Sequence, residues 1–453
     1  MTAPTNLLLV VLGGVRADHT SCYGYGKPTT PFLDEVAQQG VRFPNMISTA
    51  PWALPAHASL FTGQFPSTHG ATHEHHFLAP MHAVLPEYLQ ARGYRTAAFS
   101  ANEWVSPETG FGRGFEAFFT QRYNSRLASR AVTYGRRAGD RLLRRKDSGA
   151  RRTNQALLEW LATDERPFFA FVHYQEARLP VDPPSPFDDM FVRKDSPASA
   201  ITSVNQDCDR FFAGEVQMDD ATAERLRSLY DGAVRYVDSR LHEVAMFLQQ
   251  RGIWDQTLVV ITGDHGESLG ERGLLGHRFT LADPLLRVPL VLRCPRNVPQ
   301  GFALEEVAQT SDILPTVLEL LEIAPEAGAV QGRVLLREGR ATPSPGFAVA
   351  ERFRPNLEGL RKRFPNVDGR ALDVRTKAIR SSREKFVWHS DEANEFYDLV
   401  SDPAETLNLI GKEPVRAEAM RRKLFDWFAA IPHREPAEIP AIAGGQSRLS
   451  YSD

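Results

Sequence analysis

Three polar side chains follow directly after an apolar run in the second half of the chain. The run TLVVITG, residues 257–263, is typical of a buried strand, and Asp264, His265 and Glu267 come after it. A carboxylate and an imidazole at the end of a strand suit a divalent cation, although such ions take four to six donors. The alternative is structural, with Asp264 capping a helix and His265 packed against it.

Further histidine and arginine side chains in the sequence could bind a metal or an anion. They are His277 and Arg278 in LLGHRFT, the strand-end group His173, Glu176 and Arg178 in FVHYQEARLP, and the loop histidines His69, His73, His75 and His76. Arg178 could bind an oxyanion through two N–H groups at once, or it could pair with an acid at the surface. The loop histidines are equally typical of solvent-exposed side chains without a ligand.

Short apolar runs alternate with amphipathic segments over most of the chain. The runs lie at 6–12, 95–101, 167–174, 257–263 and 288–294, and the segments between them include 30–40, 82–93, 154–163, 222–251 and 311–322. Such runs indicate strands that are buried on both faces, and such segments indicate helices. The alternation predicts an α/β fold, a three-layer α/β/α domain with a mainly parallel central sheet. Ligands bind such sheets beyond the carboxyl ends of the strands, where three of the motifs lie.

The pattern changes after about residue 335. The segments RTKAIRSSREKFVWHS and NEFYDLVSDPAETLNLI predict short strands and turns, and no long helix is predicted before 414–430. We therefore expect an α/β domain at 1–340, a small C-terminal antiparallel α+β subdomain at 341–430 and an extended tail at 431–453.

Basic residues are concentrated in one stretch of the sequence. From Arg126 to Arg152 there are ten arginine and lysine residues against Asp140 and Asp147. Such a stretch is typical of a solvated helical insertion. The alternative is an electropositive rim that attracts an anionic substrate or an acidic partner.

The composition as a whole is that of an ordinary globular protein. The 453 residues carry a formal net charge of -3, which does not suggest a nucleic-acid partner. The three cysteines have no C-x-x-C spacing, which argues against a disulfide framework or a structural zinc site. No run reaches the roughly 18 apolar residues of a membrane span, and residues 6–14 lack the basic flank of a signal peptide. We expect a cytoplasmic protein without a membrane span.

Seven segments, taken in order, resemble one known family. They are NLLLVVLGGVRADHTSCYGY, TTPFLDEVAQQGVRFPN, APWALPAHASLFTG, STHGATHEH, TLVVITGDHGESLGERGLLGH, LLRVPLVLRCP and EFYDLVSDPAETLNLI. This combination resembles the type I sulfatases of the alkaline-phosphatase-like superfamily. The resemblance implies the fold predicted above and, in an active member, hydrolysis of a sulfuric or phosphoric ester.

The residue that matches the family's nucleophile is Ala53. Family members carry C/S-x-P-S-R, in which the first residue becomes formylglycine, or T-x-P-S-H with an unmodified hydroxyl, whereas this chain has Ala-Leu-Pro-Ala-His at 53–57. A methyl group cannot attack sulfur or phosphorus and cannot be oxidised to an aldehyde hydrate. We expect no formylglycine, a vacant nucleophile position at Ala53 and a site histidine at His57.

The resemblance also implies a metal site, and this sequence keeps only part of it. The Asp-His pair of the family matches Asp264 and His265, but the acid that follows the first strand is replaced by Gly13. With donors missing at positions 13 and 53, we expect at most a weakly bound divalent cation (Ca, Mn, Mg or Zn). Restoring it would call for an acid at position 13 together with a hydroxyl at position 53.

Two further positions depart from the family pattern. Where relatives carry the histidine of D-P-H-x-P, this chain has Arg178, and where many sulfatases place a lysine on the sulfate it has His277. A fixed cation such as Arg178 could replace part of the charge of the ion and, together with His57, bind an anion without cleaving it.

These departures leave three hypotheses for the function. The first is a pseudoenzyme, or a repurposed pocket that binds a small anionic ester or anion. The second is an active sulfate or phosphate ester hydrolase with a rewired mechanism, in which His57 or a metal-activated water attacks. The third is a scaffold subunit, with a homo-oligomer or an active paralogue as its partner.

Overall fold

A mixed eight-stranded sheet lies at the centre of the chain in the computed structural model, which describes residues 6–120, 147–192, 204–367, 369 and 372–432. Its strands are β1 (Asn6–Leu12), β2 (Val41–Arg42), β4 (Arg95–Ser100), β5 (Ala117–Thr120), β6 (Phe168–Tyr174), β7 (Thr257–Gly263), β10 (Leu290–Arg293) and β11 (Phe302–Ala303). Their order is β11-β2-β10-β7-β1-β6-β4-β5. Only β10 runs antiparallel to its neighbours within the described part of this sheet. The predicted mainly parallel sheet is confirmed, and all five predicted apolar runs are strands in it.

Helices cover both faces of this sheet. The α-helices of the described residues are α1 (Pro31–Gln38), α2 (Ala53–Thr62), α3 (Pro66–His69), α4 (Leu85–Gln90), α5 (Ala150–Leu161), α6 (Cys208–Phe212), α7 (Asp220–Gln250), α8 (Asp283–Leu286), α9 (Ile313–Leu320), α10 (Glu358–Arg363) and α11 (Pro414–Ala430). Each of the five predicted helical segments contains or overlaps one of them. None of these helices combines the length and apolarity needed to cross a bilayer.

The alternation of side chains along β1 explains the three layers. Leu7, Leu9 and Val11 pack on one face of the sheet against apolar residues of α2, α4 and α9. Leu8 and Val10 point to the other face and pack against α1, α5 and α7. Because successive side chains of a strand point to opposite faces, one fully apolar strand serves both cores. The α/β/α fold is confirmed.

The three central strands end at the same edge of the sheet. In the register of the sheet, Leu12 at the end of β1 is aligned with Tyr174 of β6 on one side and with Gly263 of β7 on the other. The residues that follow these strands, Gly13 and Asp264 among them, are therefore neighbours, as the sequence predicts.

A second, antiparallel sheet is formed near the C-terminus. Its order is β15 (Ala348–Arg352), β16 (Thr376–Arg380), β17 (Glu384–His389) and β18 (Glu395–Asp398), and α11 packs on it. The remaining strands are the short pairs β3 (Met46–Ile47) with β12 (Ala308–Gln309), β8 (Ser268–Leu269) with β9 (Leu275–Gly276), and β13 (Leu336–Arg337) with β14 (Arg340–Ala341). The predicted small antiparallel sheet is confirmed, whereas the domain bounds 1–340, 341–430 and 431–453 stay a prediction.

The second sheet is attached to the first through the buried Glu351. Its Oε1 accepts hydrogen bonds from the backbone N (3.1 Å) and the Oγ (2.9 Å) of Ser67, and its Oε2 pairs with Lys377 Nζ at 2.5 Å. Its backbone N donates to the carbonyl of Thr49 at 2.9 Å. The second sheet thus contacts the segments on both sides of α2. The tail from residue 433 and most of the basic stretch, residues 126–146, lie outside the described residues.

The start of α1 depends on a carboxylate from another helix. Asp238 of α7 is 4% exposed, and its two oxygens accept the backbone N–H groups of Phe32 (3.0 Å) and Leu33 (2.9 Å). Burial raises the pKa of Asp238 to about 7. This side chain satisfies two of the N–H groups that a helix leaves unpaired at its first turn.

We expect Asp238→Ala to lower the free energy of unfolding by about 2–3 kcal/mol, because both buried N–H groups lose their acceptor. Urea unfolding followed by circular dichroism measures the change. Glu224→Ala, an exposed acid on the same helix, is the matched control and should change stability by less than about 0.5 kcal/mol. Equal stability of the two variants would contradict the capping role.

Candidate active site

The buried carboxylate of Asp264 lies at the centre of the edge where β1, β6 and β7 end. Its Oδ1 accepts hydrogen bonds from the backbone N of Gly14 at 3.1 Å and of His265 at 2.8 Å. Its Oδ2 has no hydrogen-bond partner, although the residue is only 1% exposed. One oxygen therefore fixes the orientation of the carboxylate, and the other is presented to the site.

Three imidazole rings surround the unpartnered Oδ2. His265 Nε2 lies 3.4 Å from it, and His57 Nδ1 and His173 Nε2 each lie 3.8 Å from it. His57 Nδ1 is 2.8 Å from the carbonyl oxygen of Ala53, and His265 Nδ1 is 2.8 Å from that of Gly266. Because a carbonyl only accepts, both Nδ1 atoms carry the proton, and each Nε2 of a neutral ring keeps its lone pair.

The charge states of this cluster follow from burial and proximity. Burial alone would raise the pKa of Asp264, but His265, His57, His173 and Arg178 hold it below its ordinary value. Burial lowers the pKa of His57 and His173, and lowers that of His265 to about 4. At neutral pH the site therefore combines one ionised carboxylate with neutral imidazoles.

The predicted pair Asp264 and His265 fits a divalent cation. The Oδ2 of the carboxylate and the Nε2 of the imidazole are both buried without a hydrogen-bond partner, and they are oxygen and nitrogen donors of the kind that metals take. Asp264 does not cap a helix, because its Oδ1 accepts hydrogen bonds from the backbone N–H groups of two loop residues. The metal-ligand role of Asp264 and His265 stays a prediction.

A second group of side chains forms a hydrogen-bonded chain beside this cluster. Arg178 Nη2 donates to His277 Nε2 at 3.1 Å, and His277 Nδ1 donates to Glu267 Oε1 at 2.8 Å. The rings of His277 and His265 lie 4.5 Å apart between centroids. Burial raises the pKa of Glu267 to about 7. Both nitrogens of His277 are engaged, so this ring orients Arg178. His265, Glu267 and His277 also form a buried group whose ligand atoms lie within 4.8 Å of one another and could hold a metal ion.

Ala53 begins α2, and its side chain is buried. The helix carries His57 one turn later, so that the His57 ring lies between the Ala53 carbonyl and the Asp264 carboxylate. The nearby hydroxyl of Ser48 donates to the backbone carbonyl of Asp264 at 2.5 Å and holds the loop after β7 in place. The structure thus brings Ala53, His57, Asp264 and His265 to one edge of the sheet.

The guanidinium of Arg178 donates to His277 Nε2 at 3.1 Å, and the binding of an oxyanion by Arg178 stays a prediction. An acid at position 13 does not fit as the chain stands: a Cβ at Gly13 would lie 2.5 Å from the carbonyl oxygen of Tyr174 and 2.8 Å from His173 Nε2. Atoms of a side chain do not approach this closely without a shift of the neighbours.

His173 is one of the strand-end candidates of the sequence, but its proximity to Asp264 could not be predicted from the sequence. It was visible only as the penultimate residue of a strand, and the pairing of β6 beside β1 is what brings it to Asp264. Of the four histidines between 69 and 76, His69 is hydrogen-bonded through Nε2 to Ser59 Oγ at 3.1 Å, and the ring of His73 lies 4.2 Å from that of Trp52 between centroids.

Comparison with known proteins assigns this chain to a family. Residues 5–323 match the model of the Sulfatase family. The multifunctional alkaline phosphatase superfamily protein PehA of Trinickia caryophylli is 26% identical over 93% of this chain and 95% of its own. An ulvan-active sulfatase of Formosa agariphila is 27% identical over 84% of this chain and 72% of its own.

Solved structures show the same fold. The phosphonate monoester hydrolase of Agrobacterium radiobacter superposes with a TM-score of 0.76 at 22% sequence identity, and the match covers 94% of this chain and 95% of that one. Likeness at this level of identity shows the fold alone. Together with the family match over residues 5–323, it establishes that the chain belongs to the sulfatase family within the alkaline-phosphatase-like superfamily.

Proposed function

We propose that this protein binds a small anionic ester or oxyanion at the strand edge and does not cleave it by the covalent route of its family. The observation that carries the proposal is the methyl group of Ala53 at the start of α2, where the resemblance places the attacking oxygen. Without an oxygen at this position no ester can be transferred to the chain there.

The side chains around Ala53 supply the positive charge for binding. Arg178 is half-buried, and its guanidinium is oriented through His277 and Glu267, which limits its rotational freedom before a ligand arrives. A divalent cation on Asp264 and His265, when bound, would neutralise the anionic oxygens of the ligand. The neutral His57 ring presents a lone pair, so it accepts a proton from a ligand and does not donate to a fully ionised anion.

The second candidate, hydrolysis by a rewired mechanism, is favoured by this same feature of His57. Its Nε2 is buried and has no partner, so it could accept a proton from an attacking water. That route would need no residue at position 53. The scaffold hypothesis, and with it a homo-oligomer or paralogue partner, stays a prediction.

We expect Arg178→Gln to weaken the binding of inorganic sulfate and phosphate about 10- to 100-fold, because a charge-assisted hydrogen bond contributes about 1.5–3 kcal/mol. Isothermal titration calorimetry of the full-length protein measures it. Arg151→Gln, on the exposed face of α5, is the matched control and should leave both affinities unchanged. Unaltered affinity in Arg178→Gln would remove this residue from the binding site.

We expect no turnover of aryl sulfates, aryl phosphates or aryl phosphonate monoesters by the wild-type chain after incubation with Zn²⁺, Mn²⁺ or Ca²⁺. Intact-protein mass spectrometry during these incubations should show no ester adduct, since Ala53 has no nucleophilic atom. Turnover that His57→Ala abolishes would favour the second candidate with His57 as the proton acceptor, and turnover that survives this substitution would favour attack by a metal-activated water instead.

A further inference from the structure

One buried arginine of the second sheet has no acidic partner. Arg352, the last residue of β15, is 2% exposed, and its guanidinium donates to the hydroxyl of Thr376 at 2.7 Å and to the carbonyl of Leu372 at 3.5 Å. Its Nε has no hydrogen-bond partner. Every other buried arginine of the described residues has a carboxylate within ion-pair distance, namely Arg16, Arg95, Arg293 and Arg380. The positive charge of Arg352 is therefore buried without an ion pair.

Burial of this charge is unfavourable, and an anion would compensate it. Burial lowers the pKa of Arg352 to about 10, and the charge of the exposed Asp391 offsets only part of this effect. The side chain therefore stays protonated at neutral pH. A buried charge is stable when an opposite charge pairs with it, and the planar guanidinium is suited to bind a sulfate, phosphate or carboxylate. The ligand chemistry that fits Arg352 is an oxyanion.

Arg352 lies on the face of the second sheet that packs on the rest of the chain. In the register of this sheet Arg352 is aligned with Thr376, and Thr376 with His389, so these three side chains form a row on one face, the Arg352 row. The apolar residues next to the row pack against Leu281 and Leu286. The opposite face packs on α11. The row therefore faces the segment between β9 and the end of α8, which follows the candidate active site along the chain.

His73 connects the Arg352 row with the strand edge. Its ring lies 4.2 Å from that of Trp52, the residue before Ala53, and its Nδ1 is buried without a hydrogen-bond partner. Burial lowers the pKa of His73 well below its ordinary value, and the nearby charges of Arg352 and Arg278 lower it further. The neutral ring of His73 thus lies close to both guanidinium groups and next to the segment that begins α2.

The other two members of the row can also contact an anion. The hydroxyl of Thr376 accepts from Arg352, and within the described residues its own proton is not donated to a partner, so it is available for a ligand. His389 Nε2 is buried without a hydrogen-bond partner and lies 3.7 Å from Glu395 Oε1. Burial lowers the pKa of His389, so its ring is neutral at neutral pH and its N–H can donate. His389 and His73 are both partly exposed, so the row lies close to the surface.

We propose that the Arg352 row and His73 bind a second anionic group of the ligand, so that the ligand is an ester with two separate anionic groups. The first group lies at the strand edge, and the second, a sulfate or a carboxylate, lies at the second sheet. This inference rests on the anion binding proposed above and adds the class of ligand to it. A ligand with one anionic group uses Arg178 alone, whereas a ligand with two also compensates the charge of Arg352.

The first test asks whether a second anionic group improves binding. Isothermal titration calorimetry of the full-length protein compares α,ω-alkane disulfates and ω-carboxyalkyl sulfates, from ethane to octane, with the alkyl monosulfates of the same length. We expect at least one of the doubly charged compounds to bind about 10-fold more tightly than its monosulfate, or better. Binding of the monosulfates without a gain at any length would overturn this inference alone. No binding of inorganic sulfate or of any monosulfate would overturn the proposed function as well.

The second test removes the charge at the second sheet. We expect Arg352→Gln to weaken the binding of the best doubly charged compound about 10- to 100-fold and to leave the affinity for its monosulfate unchanged. Arg178→Gln should weaken the binding of both compounds. Arg383→Gln, an exposed arginine at the opposite end of the second sheet, is the matched control and should change neither affinity. Wild-type affinity in Arg352→Gln, or an equal loss for both compounds, would contradict a separate subsite.

The third test separates ligand binding from a structural role. Without a ligand, Arg352→Met should keep or raise the melting temperature, because it removes a buried charge that has no ion pair. Arg380→Met, on the neighbouring strand, removes the partner of Asp283 at 2.9 Å and should lower it. An equal fall in both variants would make Arg352 structural and overturn the proposal. If Arg352→Gln does not fold, Thr376→Val decides: the gain from the second anionic group should shrink in this variant, and an undiminished gain would overturn the subsite.

Discussion

The half-satisfied carboxylate of Asp264 is the constraint on which the rest of the site depends. Its Oδ1 is held by two backbone N–H groups, so the side chain cannot rotate to pair its second oxygen with a neighbour. Burial makes an unpaired anion expensive, and the surrounding rings are neutral at physiological pH. The ionised carboxylate of Asp264 therefore needs a positive charge close to it, which the neutral imidazoles do not supply. A cation, the nearby guanidinium of Arg178 or both together can meet that demand.

Much of this could be predicted from the sequence, and the limits have physical causes. The five apolar runs are buried strands because a parallel sheet covered on both sides leaves no room for polar side chains within them. The order in which the strands pair cannot be predicted from such runs. His173 lies close to Asp264 because β6 pairs with β1. The motif comparison identified Ala53 and Gly13 as departures from the family pattern. It could not show that the volume beside Gly13 is already filled.

The C-terminal sheet contributes to the position of the site. Glu351 accepts two hydrogen bonds from Ser67 just after α2 and pairs with Lys377 of its own sheet, while its backbone binds Thr49 just before that helix. Because α2 carries Ala53 and His57, the second sheet fixes both ends of the helix that forms one wall of the site. The position of the family's reactive residue thus rests on contacts some 300 residues away along the chain.

The close packing of His173 against Gly13 couples these two positions. A Cβ at Gly13 would lie 2.8 Å from His173 Nε2 and 2.5 Å from the carbonyl oxygen of Tyr174, so a side chain at position 13 requires its neighbours to shift. The effect of a substitution at one of the two positions therefore depends on the residue at the other, and their effects on stability are not additive.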